Sequence, residues 1–384
     1  MRILFLQDHL EVGGAARAAG RCRSLAKTLG HTTAVACGDG TVSSEVFCLQ
    51  GKMPRGVGRI LQLSLPRRLR YQWMQARVAA TWRKCIDRFR PDCIWVHNLH
   101  GAFKWGWGFD LLVPQRLRIP TIWTLHDMAL LGDGESYWPE SEWPARAANG
   151  PFRTIFEDIP GNQLILTAPS AWMAKLASRC TGRSCQVLSN PIDLKIFNPG
   201  DRKAAKENLR LPLKTPVFLA GAERVDDPRK GLNLLEGLRE AFRQAGITLA
   251  IFGRNGRPQP GQNYLGILRD ENAVAEAYRA ADLYLHLAHQ ENAPCQIQEA
   301  LACGTPTLAF SVGGIPEMIR ERETGFLVPW QERANLGGFL RERILPCLDD
   351  LPTMRESCRG DAVGRFSNEI LGQKIQEVLG LLHA

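Results

Sequence analysis

Apolar residues gather into short continuous runs at 3–6, 93–97, 121–125, 164–168, 217–221, 248–252, 283–287 and 307–310. They do not alternate with polar residues, so each run predicts a strand covered on both faces, as in a parallel sheet. Turn residues bound each run and helical patterns follow, which predicts βαβ units and open, doubly wound sheets. A stretch rich in Pro, Gly and charge falls between 190 and 212, with strand candidates on both sides. The pattern therefore divides the chain into two α/β domains, 1–190 and 191–365. The last segment, 366–382, reads as an amphipathic helix through Ile370, Leu371, Ile375, Val378, Leu379 and Leu382. Residues 128–162 form a polar segment rich in Trp, Pro and Gly; an insertion of that length in a compact domain is usually functional or disordered.

Composition agrees with this division. A chain of 384 residues exceeds one ordinary core, and 45% hydrophobic with 23% charged residues is a globular balance. No apolar run approaches the roughly 20 residues that span a bilayer. The run at 3–6 is too short for a signal-peptide core, so a cytoplasmic protein is expected. The eleven cysteines are scattered without a Cys-x-x-Cys pair, which argues for reduced thiols and against a zinc site.

Charge changes the picture in one place. The net charge is +9, and residues 51–90 hold eleven Lys or Arg against one acid, Asp87. Apolar residues such as Tyr71, Trp73, Val78 and Trp82 interleave with these cations. Such a stretch suits an anionic membrane surface or a phosphate-bearing acceptor. The other reading is a solvated helix pair whose apolar stripe faces the core. Nucleic acid is the least favoured partner.

In open α/β sheets ligands bind where strands end, so the residues after each run are the candidate chemistry. After the first run come Gly13 and Gly14, which permit close backbone approach, and a helix opens near Ala15. A plain tight turn accounts for them equally well. After the run at 121–125 come His126 and Asp127, an active-site pair or a local cap. After the run at 217–221 come Arg224, Arg229 and Lys230, three cations in seven residues that suit a diphosphate. After the run at 283–287 comes Glu291-Asn292-Ala293-Pro294-Cys295, then Glu299, Gly304 and Pro306. A helix starting near Pro294 and ending at Gly304 puts Glu291 in the preceding loop and Glu299 just over one turn in. Carboxylates there accept bonds from sugar hydroxyls, while free N–H groups face a phosphate.

The Glu-x7-Glu spacing, the trailing Ala302-Cys303-Gly304-Thr305-Pro306 and the Gly313-Gly314-Ile315-Pro316-Glu317 turn closely resemble family 4 retaining glycosyltransferases of the GT-B fold. Arg224 with Lys230-Gly231 fits the same pattern, and Gly13-Gly14, His126-Asp127 and Asn190-Pro191 fit it more loosely. The nearest likeness is to bacterial members that build exopolysaccharide, colanic-acid or lipid-linked glycans. The resemblance implies two Rossmann-like domains facing across a cleft, with the helix at 366–384 crossing back to the first. It implies transfer of a hexose-type sugar from a nucleoside-diphosphate sugar to a glycan or polyprenyl-linked acceptor, with retention of anomeric configuration. Arg224 and Lys230 would bind the diphosphate, Glu299 the ribose and Glu291 the transferred sugar. Asn292, Ala293, Pro294 and Cys295 would supply backbone N–H groups, Gly13 and Gly14 would approach the donor, and His126 would lie beside the reacting sugar. No cofactor or metal is implied, because cations do the work Mg²⁺ does elsewhere. The chain departs from the family at Leu287-Ala288, where Pro-Ser is common, and at Asn292-Ala293. Those changes bear on the donor's sugar and base, not on the reaction class. A catalytically silent, membrane-bound scaffold of the same fold is the competing reading.

Overall fold

The computed structural model describes residues 1–383 apart from 39, 50–65, 98, 100–118, 133, 134, 139–141, 143, 144 and 147–158, and apart from the side chains of 67, 68, 70, 71, 73–75 and 162. The chain divides into two compact units, one of Met1–Pro191 with Leu371–Ala384 and the other of Ile192–Ile370.

The first unit runs β1 (Arg2–Gln7), α1 (Gly14–Thr28), β2 (Thr32–Cys37), β3 (Val46–Cys48), α2 (Arg67–Phe89), β4 (Cys93–Val96), β5 (Thr121–Thr124), β6 (Leu164–Ala168), α3 (Ala171–Thr181) and β7 (Cys185–Val187). Its described strands form one sheet in the order β3-β2-β1-β4-β5-β6-β7. The second unit runs α4 (Arg202–Asn208), β8 (Val217–Arg224), α5 (Arg239–Gln244), β9 (Thr248–Arg254), β10 (Gln262–Gly266), α6 (Glu271–Ala280), β11 (Leu283–His286), α7 (Cys295–Ala302), β12 (Thr307–Phe310), β13 (Gly325–Val328), α8 (Leu336–Phe339) and α9 (Met354–Phe366). Its strands order β10-β9-β8-β11-β12-β13, and every pairing in both sheets is parallel. Both orders reverse direction once, between β1 and β4 and between β8 and β11, which are the switch points of doubly wound sheets.

All eight apolar runs are strands, and β4, β5, β11 and β12 are buried at every residue. Small residues set the spacing of β8 and β9: a Cβ on Gly221 would lie 2.2 Å from the Phe252 ring. Helices α3, α4 and α6 begin at side-chain caps. Ser170 accepts from Met173 N–H at 3.1 Å, and Asp270 accepts from Ala273 N–H at 2.9 Å.

Three local expectations change. The C-terminal segment is not one helix from 366. Phe366 ends α9, Ser367 is extended (φ −62°, ψ 149°), and α10 (Asn368–Gly380) begins after it. In the first unit, Gln376 of α10 meets His31 at 3.3 Å. Pro294 is the residue before α7, not its first, because its ψ of 122° is extended. Among the described residues of the basic segment, 67–89 form the helix α2, and residues 51–65 lie outside the described residues. Val78, Trp82, Cys85 and Phe89 form an i, i+4, i+7, i+11 stripe buried in the first unit's core. That part of the apolar pattern is therefore core, as the solvated-helix reading expects, while Arg83, Lys84, Arg88 and Arg90 are exposed. In the polar segment, Trp138 is buried against Gly132, where a Cβ would meet its ring at 2.9 Å. Among the described residues no helix is long and apolar enough to cross a membrane.

Candidate active site

The site of the second unit is built at its switch point, from the ends of β8 and β11. After β8, Asp227 caps a tight turn by accepting from Arg229 N–H at 3.0 Å, with Pro228 at the first turn position. The turn ends at Gly231, whose φ of +66° is left-handed. A Cβ there would lie 1.8 Å from the Leu287 carbonyl oxygen, so only glycine lets this turn seat on the 287–289 backbone. His289 N–H fastens it by donating to Arg229 O at 2.8 Å. The result places the Lys230 ammonium on the Glu291 carboxylate in a charge-assisted hydrogen bond. Both side chains are largely withdrawn from water, 28% and 10% exposed.

The loop from Glu291 is fixed at both ends. Gly314 N–H of the Gly313-Gly314 turn donates to Glu291 O at 3.4 Å. Asn292 is 1% exposed, Ala293 half-buried, and Pro294 and Cys295 buried. Glu299 is on α7 and 1% exposed. Gln296 of α7 donates to Gly221 O at 3.2 Å, tying the helix to β8.

Two residues absent from the sequence reading face this cluster. Tyr284 and His286 alternate along β11 and share the side opposite Leu283 and Leu285. The Tyr284 hydroxyl lies 3.4 Å from Gly221 O and 3.4 Å from His286 Nδ1, and His286 Nε2 lies 3.9 Å from Glu291 Oε1. Burial, with Lys230 adding to it, pushes the His286 imidazole down to about 4 against the opposing pull of Glu291. Burial first, then Glu299 and Glu291, pushes the Tyr284 phenol well up. The signal was a histidine inside a short, otherwise apolar strand at the switch point.

Arg224 is placed differently. It ends β8 beyond a register shift, with its side chain 61% exposed. Its guanidinium grips Asp226 with two bonds of 3.1 Å, and Asn255 donates to the same carboxylate at 3.2 and 3.1 Å. The Asp226 bond raises the guanidinium above its usual range and lowers the carboxyl. The structure thus brings Lys230 and Glu291 together and leaves the Arg224 side chain on a neighbouring carboxylate.

In the first unit, Gly13 is the residue before α1, with a φ of +93° that favours glycine, and a Cβ on Gly13 or Gly14 would meet nothing within 4 Å. His126 follows β5, where its Nε2 lies 3.0 Å from Nδ1 of His97, the residue after β4. Their rings stack at 5.3 Å, and Trp95 and Phe5 continue the stack inward. Burial, then the second imidazole, lowers His97 well below its ordinary range. Asp127 accepts from Ala129 N–H at 3.0 Å, as a local cap does. Among the described residues no group of three or more His, Cys, Asp or Glu is gathered to hold a metal.

Sequence comparison matches residues 12–196 to the Glycosyltransferase Family 4 model and residues 258–337 to the model of glycosyl transferases group 1. The second region holds Glu291 and Glu299, while Arg224 and Lys230 lie between the two regions. In both regions the chain is similar to family 4 glycosyltransferases. Among curated relatives of this chain is the D-inositol 3-phosphate glycosyltransferase of Mycobacterium avium (strain 104), 28% identical over 243 residues. That match takes in 58% of this chain and 54% of the relative, so the chain spans about half the length of the curated relatives it matches. Among solved structures, the sucrose-phosphate synthase of Thermosynechococcus elongatus superposes with a TM-score of 0.75 at 19% identity, covering 100% of this chain and 99% of that one. The Anabaena HepE protein in complex with UDP-glucose gives 0.70 at 18%, covering 99% of each. These likenesses give the chain the GT-B fold.

Proposed function

We propose that this glycosyltransferase moves a hexose-type sugar from a nucleoside-diphosphate sugar to a glycan or lipid-linked acceptor, with retention of anomeric configuration. The observation that carries the reading is the juxtaposition of Lys230 and Glu291 at the β8–β11 switch point. One group suits the donor's diphosphate, and the other suits the hydroxyls of its sugar. Breaking the sugar–phosphate bond leaves negative charge on the departing diphosphate. Lys230, with Arg224 once released from Asp226, would stabilise that charge as it develops. These cations need no divalent metal beside them, so the proposed transfer persists in a chelator. The start of α7 would offer its free N–H groups to the donor, and Glu299 the ribose contact. UDP-glucose on the HepE relative lends support to a nucleotide sugar as donor. The exposed cations of α2 suit an acceptor that carries phosphate or sits in an anionic membrane.

The test is a thermal-shift panel of UDP-, GDP- and ADP-sugars without metal, followed by a transfer assay with the sugar that stabilises the fold. A ligand well above its dissociation constant should stabilise by about 2–4 kcal/mol. Folded protein that responds to none of them would favour the silent-scaffold reading.

A further inference from the structure

Glu291 is a carboxylate with 10% of its side chain exposed, and its charge partner in the free protein is Lys230. The donor reading above, on which this inference rests, assigns the same Lys230 to the diphosphate. A buried carboxylate stripped of its cation costs several kcal/mol unless another donor replaces it. The structure holds a replacement in waiting. His286 Nε2 lies 3.9 Å from Glu291 Oε1, too far for a hydrogen bond, and has no hydrogen-bond partner among the described residues although the ring is 3% exposed.

The hydrogen bonds explain why that nitrogen stands idle. The Tyr284 hydroxyl has Gly221 O as its acceptor and Tyr278 as a second hydroxyl partner, and when it donates to Gly221 O its oxygen is left to accept from His286 Nδ1–H. The neutral imidazole then carries its proton on Nδ1 and turns a bare Nε2 lone pair toward the carboxylate. It cannot donate to Glu291 until Nε2 gains a proton. We infer that His286 is a positioning residue that takes over Glu291 as an imidazolium when Lys230 turns to the donor. Glu291 thereby keeps a fixed direction toward the sugar while its first partner is engaged elsewhere.

The charges facing the ring support the exchange. They are Glu291 on the loop after β11 and Lys230 on the turn after β8, with the Tyr284 phenol, itself influenced by Glu299 on α7, beside the ring on β11. In the free protein Lys230 opposes protonation of His286, and Glu291 favours it. Donor binding draws the cation away, leaves the anion and adds a diphosphate nearby. All three changes favour the imidazolium.

Calorimetry tests this in two buffers of different ionisation enthalpy, with UDP-glucose, GDP-mannose and ADP-glucose as probes. Their diphosphates are esterified at both ends and do not titrate near neutrality. The wild-type protein should take up about one proton per bound donor near pH 6 and about none near pH 8. His286→Gln and His286→Leu should bind the same donor with no uptake at either pH. Glu291→Gln, with the imidazole intact, should lose the uptake as well. Equal uptake by wild type and both His286 variants, or none by wild type near pH 6, overturns the inference and leaves the donor reading standing. If none of the three sugars binds folded wild-type protein, the donor reading fails and the inference falls with it.

Discussion

At the scale of single residues, the site depends on a lysine and on the glycine that places it. Lys230→Ala removes a cation that the proposed mechanism uses as charge develops, so transfer should fall by about 10²–10³-fold with near-ultraviolet circular dichroism unchanged. Full activity in that variant would exclude the role. Gly231→Ala removes no polar atom, yet it puts a Cβ 1.8 Å from Leu287 O at a φ of +66°. The turn must lift, at a cost of about 1–3 kcal/mol, and Lys230 lifts with it. Transfer should therefore drop nearly as far as in Lys230→Ala, which steady-state rates of the two variants compare. Lys230 and Glu291 were legible in the sequence because each follows an apolar run and falls in a spaced motif. The pairing of Arg224 with Asp226 and the approach of His286 to Glu291 were not. A side chain's partner depends on which loop folds beside it, and spacing along the chain does not report that.

At the scale of elements, α2 shows how a helix pattern divides its residues between core and surface. Trp82 is 2% exposed within the first unit's core, whereas Arg83, Lys84 and Arg88 face water. Trp82→Ala should destabilise by about 3–5 kcal/mol through the cavity it leaves. Arg83→Ser with Lys84→Ser and Arg88→Ser should leave stability within about 0.5 kcal/mol. Urea titrations of the two variants measure both, and similar midpoints would contradict the division. The eight strands read from the sequence are the continuous apolar runs. The strands not read were β2, β3, β7, β10 and β13. Of these, β3 and β7 are three residues long and partly exposed, and β10 is half-buried throughout, so each lacks a two-sided apolar run. β2 is buried beyond its first residue, but its Thr, Ala and Cys side chains are small and only weakly apolar.

At the scale of the whole molecule, two doubly wound sheets were legible as a class, because buried parallel strands alternating with helices leave few other architectures. Strand order was not legible, since a run does not name its neighbours. It matters because the order sets β8 beside β11 and so fixes which loops share a site. The same placement encloses His286 and makes the stability of the fold depend on pH. Its folded-state value is lowered to about 4 by burial, whereas an unfolded histidine titrates near 6.5. The unfolded chain therefore binds more protons between those values, and stability falls as pH drops through that window. From pH 6.5 to 5 the contribution of this one imidazole is about 2 kcal/mol, and above pH 7 it vanishes. His97 is lowered for the same reason and adds loss of the same sign. Urea midpoints at pH 8, 6.5 and 5 should stay level across the first interval and drop across the second. His286→Leu should drop less across the second interval, because leucine takes up no proton when the chain unfolds. Parallel declines in the two proteins would mean that the acid sensitivity arises elsewhere, with His97 the first place to look.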